Sequence, residues 1–309
     1  DDGDGADTPS DTVEDTGPPP PVRGWRITWN DEFNGPEARN DPCYDNAATP
    51  PMCMNRYWSR EPCTAGTNLD EADKALVLSN VAKLNKCVWS IYNIYNWMDW
   101  GKPALCNGNK TGINNLDPRE VKVENGELVL TAHRITANGM DVCTNWDCGR
   151  DLPDWLVSRK CPIRAGAIMS QAWNDAANTP GFQQTYGRWE IRAILSDGPG
   201  SWPAHWLLPQ SACYPEGGEI DIMEATADLP TVAASNLHSG KCDDQTHRRH
   251  ISPGNWPHDP KDKRFTSDWH VYAAEWEPSQ IRFYIDDIEI GRADAGTILM
   301  SDISADPDP

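Results

Sequence analysis

The sequence is poor in basic residues and has no long apolar run. Its 309 residues contain 27 Lys and Arg against 47 Asp and Glu, which gives a formal net charge of −20. This imbalance argues against nucleic acid and anionic membrane surfaces as partners. No apolar run approaches the roughly 18 residues that a membrane helix needs, so we expect no membrane insertion. The hydrophobic fraction of 38% nevertheless permits a substantial core.

Paired CxxC motifs of the zinc-ribbon kind are also absent, although the chain has ten cysteines. Such cysteines are more typical of disulfide bonds in an oxidising compartment than of a metal site. Because the first residue is not Met, we expect a secreted or extracytoplasmic protein whose signal peptide has been removed. Cys213 and Cys242 stand apart from the other eight and are candidates to pair with each other.

Basic residues are missing altogether from residues 1–22, which hold seven acids and five prolines. This composition predicts a disordered, acidic, Pro-rich linker. The rest, residues 23–309, is predicted to be one domain. A Cys- and Trp-rich stretch at about 36–118 interrupts that domain and is predicted to form a loop insertion, with one helix over 69–84, where acids precede lysines.

Short strands dominate the sequence from about residue 120. Segments such as "EVKVENGELVLTAHR", "YGRWEIRAIL" and "IRFYIDDIEIG" alternate polar with apolar residues, and Asn125-Gly126 is a strong hairpin signal. The pattern predicts an antiparallel, all-β architecture.

One strand, "GGEIDIMEA" at 217–225, carries three acids within six positions. Strict alternation places Glu219 and Asp221 on one face but sends Glu224 to the other. A β-bulge at Ile222 or Met223 would return Glu224 to the face of the other two acids. Three like charges on one face are electrostatically costly, and functional sites tolerate that cost more often than structural ones. A calcium site is the alternative, although calcium ligands usually come from loops rather than from a strand rich in aliphatic residues.

The motifs together resemble glycoside hydrolase family 16, in particular its bacterial laminarinases. The resemblance is carried, in the family's order, by "WNDEFNG", "YGRWEIRA", "GSWPAHWLLP", "GEIDIMEA", "NLHSG" and "DWHVYAAEWEPSQIRFYIDD". It covers about residues 25–35 and 119–292. It implies a jelly-roll β-sandwich of two curved antiparallel sheets with a substrate cleft on the concave face. Family members continue with further strands, so the resemblance also implies that C-terminal strands are missing here.

The resemblance assigns a catalytic role to each acid. It implies that Glu219 is the nucleophile, that Asp221 holds and tunes it, and that Glu224 is the general acid/base. A retaining glycosidase needs this division of labour, with one carboxylate ionised and a second carrying a proton. If Glu219 and Asp221 are both ionised, their charges help Glu224 to keep its proton. No cofactor is required, and no catalytic metal is expected.

Four further residues are candidates for substrate binding. The resemblance places Trp202 and Trp206 in the cleft for sugar stacking, with packing between the sheets as the alternative for Trp206. It places His238 where the imidazole can hydrogen-bond a glucosyl hydroxyl. Arg188 shares a strand face with Glu190, which suggests either a polar cleft floor or an ordinary cross-strand ion pair. The family's calcium site permits a structural calcium ion near Glu32 and Gly35.

The function that these features imply is hydrolysis of a neutral β-1,3-glucan by an exported, monomeric, retaining enzyme. A mixed-linkage glucanase or another β-polysaccharide hydrolase or transglycosylase of the family is an alternative. The acidic chain disfavours a sulfated substrate. A non-catalytic glucan-binding protein is the other alternative, and the presence of all three acids argues against it.

Overall fold

The computed structural model describes a chain built mainly of β-strands. The described residues are 24–33, 52–54, 60–62, 71–82, 84, 88–92, 114–134, 163–170, 182–197, 201–209, 215–226, 229, 231–240, 249–257 and 265–294. Residues 1–31 and 32–309 form two separate units. Three predictions lie outside the described residues: the linker, the pairing of Cys213 with Cys242, and the missing C-terminal strands, since nothing beyond Asp294 is described. In the described part of the chain, no helix is long and apolar enough to cross a membrane.

The elements follow one another as many short strands with one α-helix among the described residues. In chain order they are β1 (Met52–Met54), β2 (Arg60–Pro62), α1 (Glu71–Asn80), β3 (Ser90–Tyr92), β4 (Asn114–Leu116), a 3₁₀ turn (Pro118–Glu120), β5 (Val121–Glu124), β6 (Glu127–Leu130), β7 (Ala132–Arg134), β8 (Ile163–Ala165), β9 (Ile168–Met169), β10 (Gly187–Ala193), β11 (Ala204–Leu207), β12 (Glu219–Glu224), β13 (Val232–Ser239), β14 (Arg249–Pro257), β15 (His270–Glu277), β16 (Gln280–Ile285) and β17 (Ile288–Asp294).

Two four-stranded antiparallel sheets form the body of the fold. Sheet I has the order β11-β12-β13-β14 and sheet II the order β10-β15-β16-β17. One apolar core joins them: Ile222 and Met223 of sheet I are buried in the same cluster as Tyr272 and Phe283 of sheet II. Burying side chains of this size contributes about 1.5–3 kcal/mol each. The predicted all-β, jelly-roll sandwich is confirmed.

A second, smaller core anchors the inserted stretch. Val77 of α1 and Ile91 of β3 are buried in one cluster with Val121 and Val123 of β5. The helix is thus confirmed, over a shorter range than the predicted 69–84, with Glu71 and Asp73 in its first turn.

An ion-pair clamp connects α1 to the 3₁₀ turn that precedes β5. The Arg119 guanidinium donates to the buried carboxylate of Asp117 through Nε (2.9 Å) and Nη2 (2.6 Å), and through Nη1 to Asp73 of α1 (2.8 Å). A bidentate pair of this kind fixes direction as well as distance. The clamp therefore orients the inserted helix on the turn.

Glycine is required at two places for different reasons. Asn125 (φ 52°) and Gly126 (φ 76°) close the β5–β6 hairpin with positive φ at both central positions, so the predicted Asn-Gly turn is confirmed. At Gly166 a Cβ atom would lie 2.2 Å from the Glu120 carbonyl oxygen, so only glycine fits there.

The stretch "WNDEFNG", which resembles the family's first strand, forms no strand over its described residues 29–33. Phe33 has φ 54°, and this left-handed conformation is incompatible with a continuing strand. Gly35 lies outside the described residues, so the calcium ion near Glu32 stays a prediction.

Candidate active site

The three acids lie on β12, and a bulge in that strand brings them to one face. Across to β11, His205 pairs with Met223 and Trp206 with Asp221, so Ile222 has no partner there. The register with β13 shifts at the same place, between Asp221 and Glu224. The predicted bulge is therefore confirmed, and its position is Ile222. Ile222 and Met223 are both buried in the apolar core. Because two successive side chains point to the same side there, the extra residue is accommodated at this position of β12.

The face of sheet I that carries these acids, called the acid face below, is completed by the neighbouring strands. Residues that lie directly opposite in an antiparallel pair share a face. His238 lies opposite Glu219, Asn236 opposite Asp221, and Ala204 opposite Glu224. The acid face thus collects polar side chains from β12 and β13.

Asp221 is the buried centre of this face, with 1% of its surface exposed. Burial raises the pKa of Asp221 to about 8, and the charge of Glu224 also raises it. A hydrogen bond with Glu219 lowers the pKa of Asp221, whereas one with Glu224 raises it. Together these effects favour the protonated form of Asp221 at neutral pH, with burial as the main cause. The ionised Asp221 considered from the sequence is thus disfavoured by burial.

Both carboxylate oxygens of Glu224 accept hydrogen bonds from N–H groups. The Trp202 indole Nε1 donates to Oε1 at 3.0 Å, and the Asn236 amide Nδ2 donates to Oε2 at 2.5 Å. Two donors on separate oxygens fix the plane of the carboxylate as well as its position. Glu224 is thus held in one orientation on the acid face.

The other predicted binding residues differ in where they lie. Trp206 pairs with Asp221 and is half-buried, so it lies on the acid face. His238 lies on the same face, but its Nε2 is 3.1 Å from Oδ2 of Asp221. The imidazole therefore contacts a catalytic candidate directly, in addition to any contact that it makes with a sugar. Trp202 is 61% exposed, as a platform for a sugar ring requires.

Arg188 is not brought to this site. It lies on β10 in sheet II, on the face opposite Trp189 and Ile191, which pack on the core. Its guanidinium donates to Glu190 (2.9 Å), to the buried Glu275 (3.2 Å) and to Asp287 (2.8 Å). The cleft-floor assignment of Arg188 is therefore wrong, and the cross-strand ion-pair alternative describes it. The two sheets use the same alternating pattern, and the pattern alone does not reveal which sheet a strand joins.

Glu219, Asp221 and His238 are the described residues whose spacing could hold a metal ion. Each offers one atom, and these atoms lie within 4.8 Å of one another. A cation would have to displace the proton of Asp221 and occupy the nucleophile position. This chemistry makes the cluster a poor resident metal site. That catalysis needs no metal stays a prediction.

Asn236 is the member of the site that the sequence argument did not single out. It lies in the quoted segment "NLHSG", two positions before His238. Residues two apart on a strand share a face, so the period-two rule applied to His238 could have found it.

Comparison with known proteins gives one family and several relatives. The family model "Glycosyl hydrolases family 16" matches residues 117–299, more than half of the chain. A β-glucanase of Rhodothermus marinus is 42% identical over 108 residues, which are 33% of this chain and 36% of that protein. Glucan endo-1,3-β-glucosidase A1 of Niallia circulans is 39% identical over 113 residues, 33% of this chain and 15% of that protein. The chain therefore spans well under half the length of these relatives.

A solved structure from a study of endo-acting O-glycanases, which prominent members of the human gut microbiota express to initiate mucin breakdown, has a similar fold. It has a TM-score of 0.56 at 21% identity and covers 91% of this chain and 75% of that chain. At this identity the likeness concerns the fold alone. The family match covers both sheets and includes β12, the strand that carries the three acids and is called the acid strand below. It shows that the chain belongs to glycosyl hydrolase family 16.

Proposed function

We propose that the chain is an exported, monomeric, retaining endo-β-1,3-glucanase that acts on laminarin-type glucan. The observation that carries this proposal is the acid face, where Glu219 and Glu224 flank a buried Asp221, whose pKa is raised, on a bulged strand. A retaining glycosidase requires two carboxylates with different protonation states. The two relatives named as glucanases support β-glucan as the substrate class.

The first half of the reaction forms a bond to Glu219. Its carboxylate attacks the anomeric carbon while Glu224 gives a proton to the glycosidic oxygen, whose bond to that carbon breaks. The proton that Glu224 needs is available from Asp221, its neighbour on the acid face, whose pKa burial and the charge of Glu224 both raise. Passage of that proton to Glu224 leaves Asp221 ionised. The products of this half are a glycosyl ester on Glu219 and a free leaving sugar.

The second half returns the site to its starting state. Glu224 takes a proton from a water molecule, whose oxygen attacks the anomeric carbon and displaces Glu219. The proton then returns from Glu224 to Asp221, the group that burial keeps protonated at neutral pH. Two displacements at one carbon retain the anomeric configuration.

The test is release of reducing sugar from laminarin, with barley mixed-linkage glucan and agarose in parallel. Cleavage of laminarin by the wild type, loss of that cleavage in Glu219→Ser, and a β-anomer as first product by NMR would support the proposal. Glu127→Ser, at an exposed position on β6, is the matched control and should remain active. Cleavage of the barley glucan alone would change the linkage assignment. Laminarin binding without cleavage would favour the glucan-binding alternative.

A further inference from the structure

We propose that Asn236 is a positioning residue that holds Oε2 of Glu224 and thereby assigns Oε1 to proton exchange with the substrate. The inference rests on the proposed glycosidase function, because it concerns the orientation of the general acid/base. It begins with the two N–H donors to Glu224, the Asn236 amide at Oε2 and the Trp202 indole at Oε1.

These two donors differ sharply in their exposure. Asn236 is 6% exposed, whereas Trp202 is 61% exposed. The hydrogen bond to Oε1 therefore comes from the solvent-exposed side of the carboxylate, the side from which a sugar stacked on the Trp202 indole would approach. The hydrogen bond to Oε2 comes from the Asn236 amide, a side chain that is almost fully buried, so a ligand does not displace it. Substrate binding therefore leaves Oε2 occupied and makes Oε1 the oxygen that is available for the glycosidic oxygen.

The backbone around Asn236 explains why its amide is held in place. On one side it lies opposite Asp221 of β12. On the other side, the register with β14 shifts between Ser235 and Leu237, the residues that flank Asn236. The neighbouring Ser235 is buried, and its Oγ donates to the carbonyl oxygen of Ile222 at 2.9 Å. The bulge of β12 and the irregular pairing of β13 are thus tied together, and Asn236 lies at the junction.

A fixed carboxylate matters because Glu224 acts twice in the reaction. It must deliver a proton to the leaving oxygen in the first step and accept one from water in the second. A carboxyl group free to rotate about its terminal torsion would spend time in unproductive orientations, and small losses of alignment reduce rates strongly. Held by Asn236, the same oxygen serves both steps.

The experiment compares leaving groups rather than total activity. Aryl β-laminaribiosides with dinitrophenol need little proton donation to the leaving group, whereas those with phenol depend on it. For Asn236→Ala we expect kcat/KM on the phenyl substrate to fall about 10- to 100-fold, with a change of under about threefold on the dinitrophenyl substrate. Asn236→Asp, which keeps the shape and removes the N–H donor, should show the same selectivity. Glu224→Gln should show it most strongly.

The ratio of the two kcat/KM values does not depend on the fraction of folded protein, so a partly unfolded variant still gives an answer. Ser239→Ala, at the end of the same strand, is the control and should leave the ratio unchanged. If Asn236→Ala slowed both substrates equally, or neither, this inference would be overturned while the proposed function stood. A wild type inert on laminarin and on both aryl substrates would overturn the proposed function together with the inference.

Discussion

Replacing Asp221 by Asn should change the pH dependence of stability strongly. The carboxyl group has 1% of its surface exposed, and burial raises its pKa from 3.8 to about 8. In the unfolded chain the group regains its ordinary pKa, so folding takes up a proton between these two values. The free energy of unfolding of the wild type is therefore not reduced by Asp221 below about pH 4, and it falls progressively as the pH rises towards 8.

The size of the effect follows from proton linkage. Where the folded state holds one more proton than the unfolded state, stability falls by about 1.4 kcal/mol per pH unit. Between pH 5 and the folded pKa of about 8, this slope amounts to about 4 kcal/mol. Asn carries no titrating proton and keeps the shape of the side chain. The free energy of unfolding of Asp221→Asn, relative to the wild type, should thus increase by about 4 kcal/mol from pH 5 to pH 9.

The measurement is urea unfolding of both proteins at pH 5, 7 and 9 with the disulfide state kept constant. Titrating groups far from Asp221 are common to both proteins and cancel in the difference, which therefore reports on Asp221 and the acids that interact with it. Asp197→Asn, which removes an exposed carboxylate, is the matched control and should give a difference that hardly varies with pH. If the Asp221→Asn difference were equally flat, Asp221 would be ionised in the folded protein, and the relay of its proton to Glu224 would have to be abandoned.

Two further predictions concern other parts of the molecule. Glu275, buried in sheet II, accepts hydrogen bonds from Arg188 (3.2 Å) and Tyr284 (2.8 Å). Glu275→Gln should therefore lower the free energy of unfolding by about 3 kcal/mol, whereas Glu190→Gln, at the half-exposed end of the same network, should lower it by under about 1 kcal/mol. Equal losses in thermal or urea unfolding would contradict the importance of burial. Trp202→Phe keeps an aromatic platform but removes the indole donor to Glu224, so kcat on laminarin should fall about tenfold with little change in KM. A large rise in KM at constant kcat would instead show that stacking is the dominant role of this side chain.

The acid strand shows how far sequence reasoning reaches. Alternation and the position of Glu224 were enough to predict the bulge, because a slip of one residue reverses every side chain. The core then selects the position, since Ile222 and Met223 are both buried. The hairpin at Asn125-Gly126 was equally predictable, because few residue pairs adopt positive φ at two successive positions.

What remained hidden depends on which strands are neighbours. Alternation correctly put Arg188 and Glu190 on one face, but only the strand order shows that this face belongs to sheet II, away from the acids. Asn236 shares a face with His238 by the same rule, yet its contact with Glu224 follows from the register between β12 and β13. The protonation of Asp221 depends on burial, which has no local sequence signal.

The bulge at Ile222 also makes the acid strand tolerant of one particular change in length. Deleting either Ile222 or Met223 would turn the six-residue span into a five-residue span in which strict alternation keeps all three acids on one face. Deleting any one residue outside the bulge would invert part of the strand and bury a charge. A one-residue deletion at the bulge therefore leaves all three acids on the same face. Its main cost would be the loss of one core side chain. The same row of acids can thus be formed by two sequence spacings, the observed one with the bulge and one that is shorter by a residue.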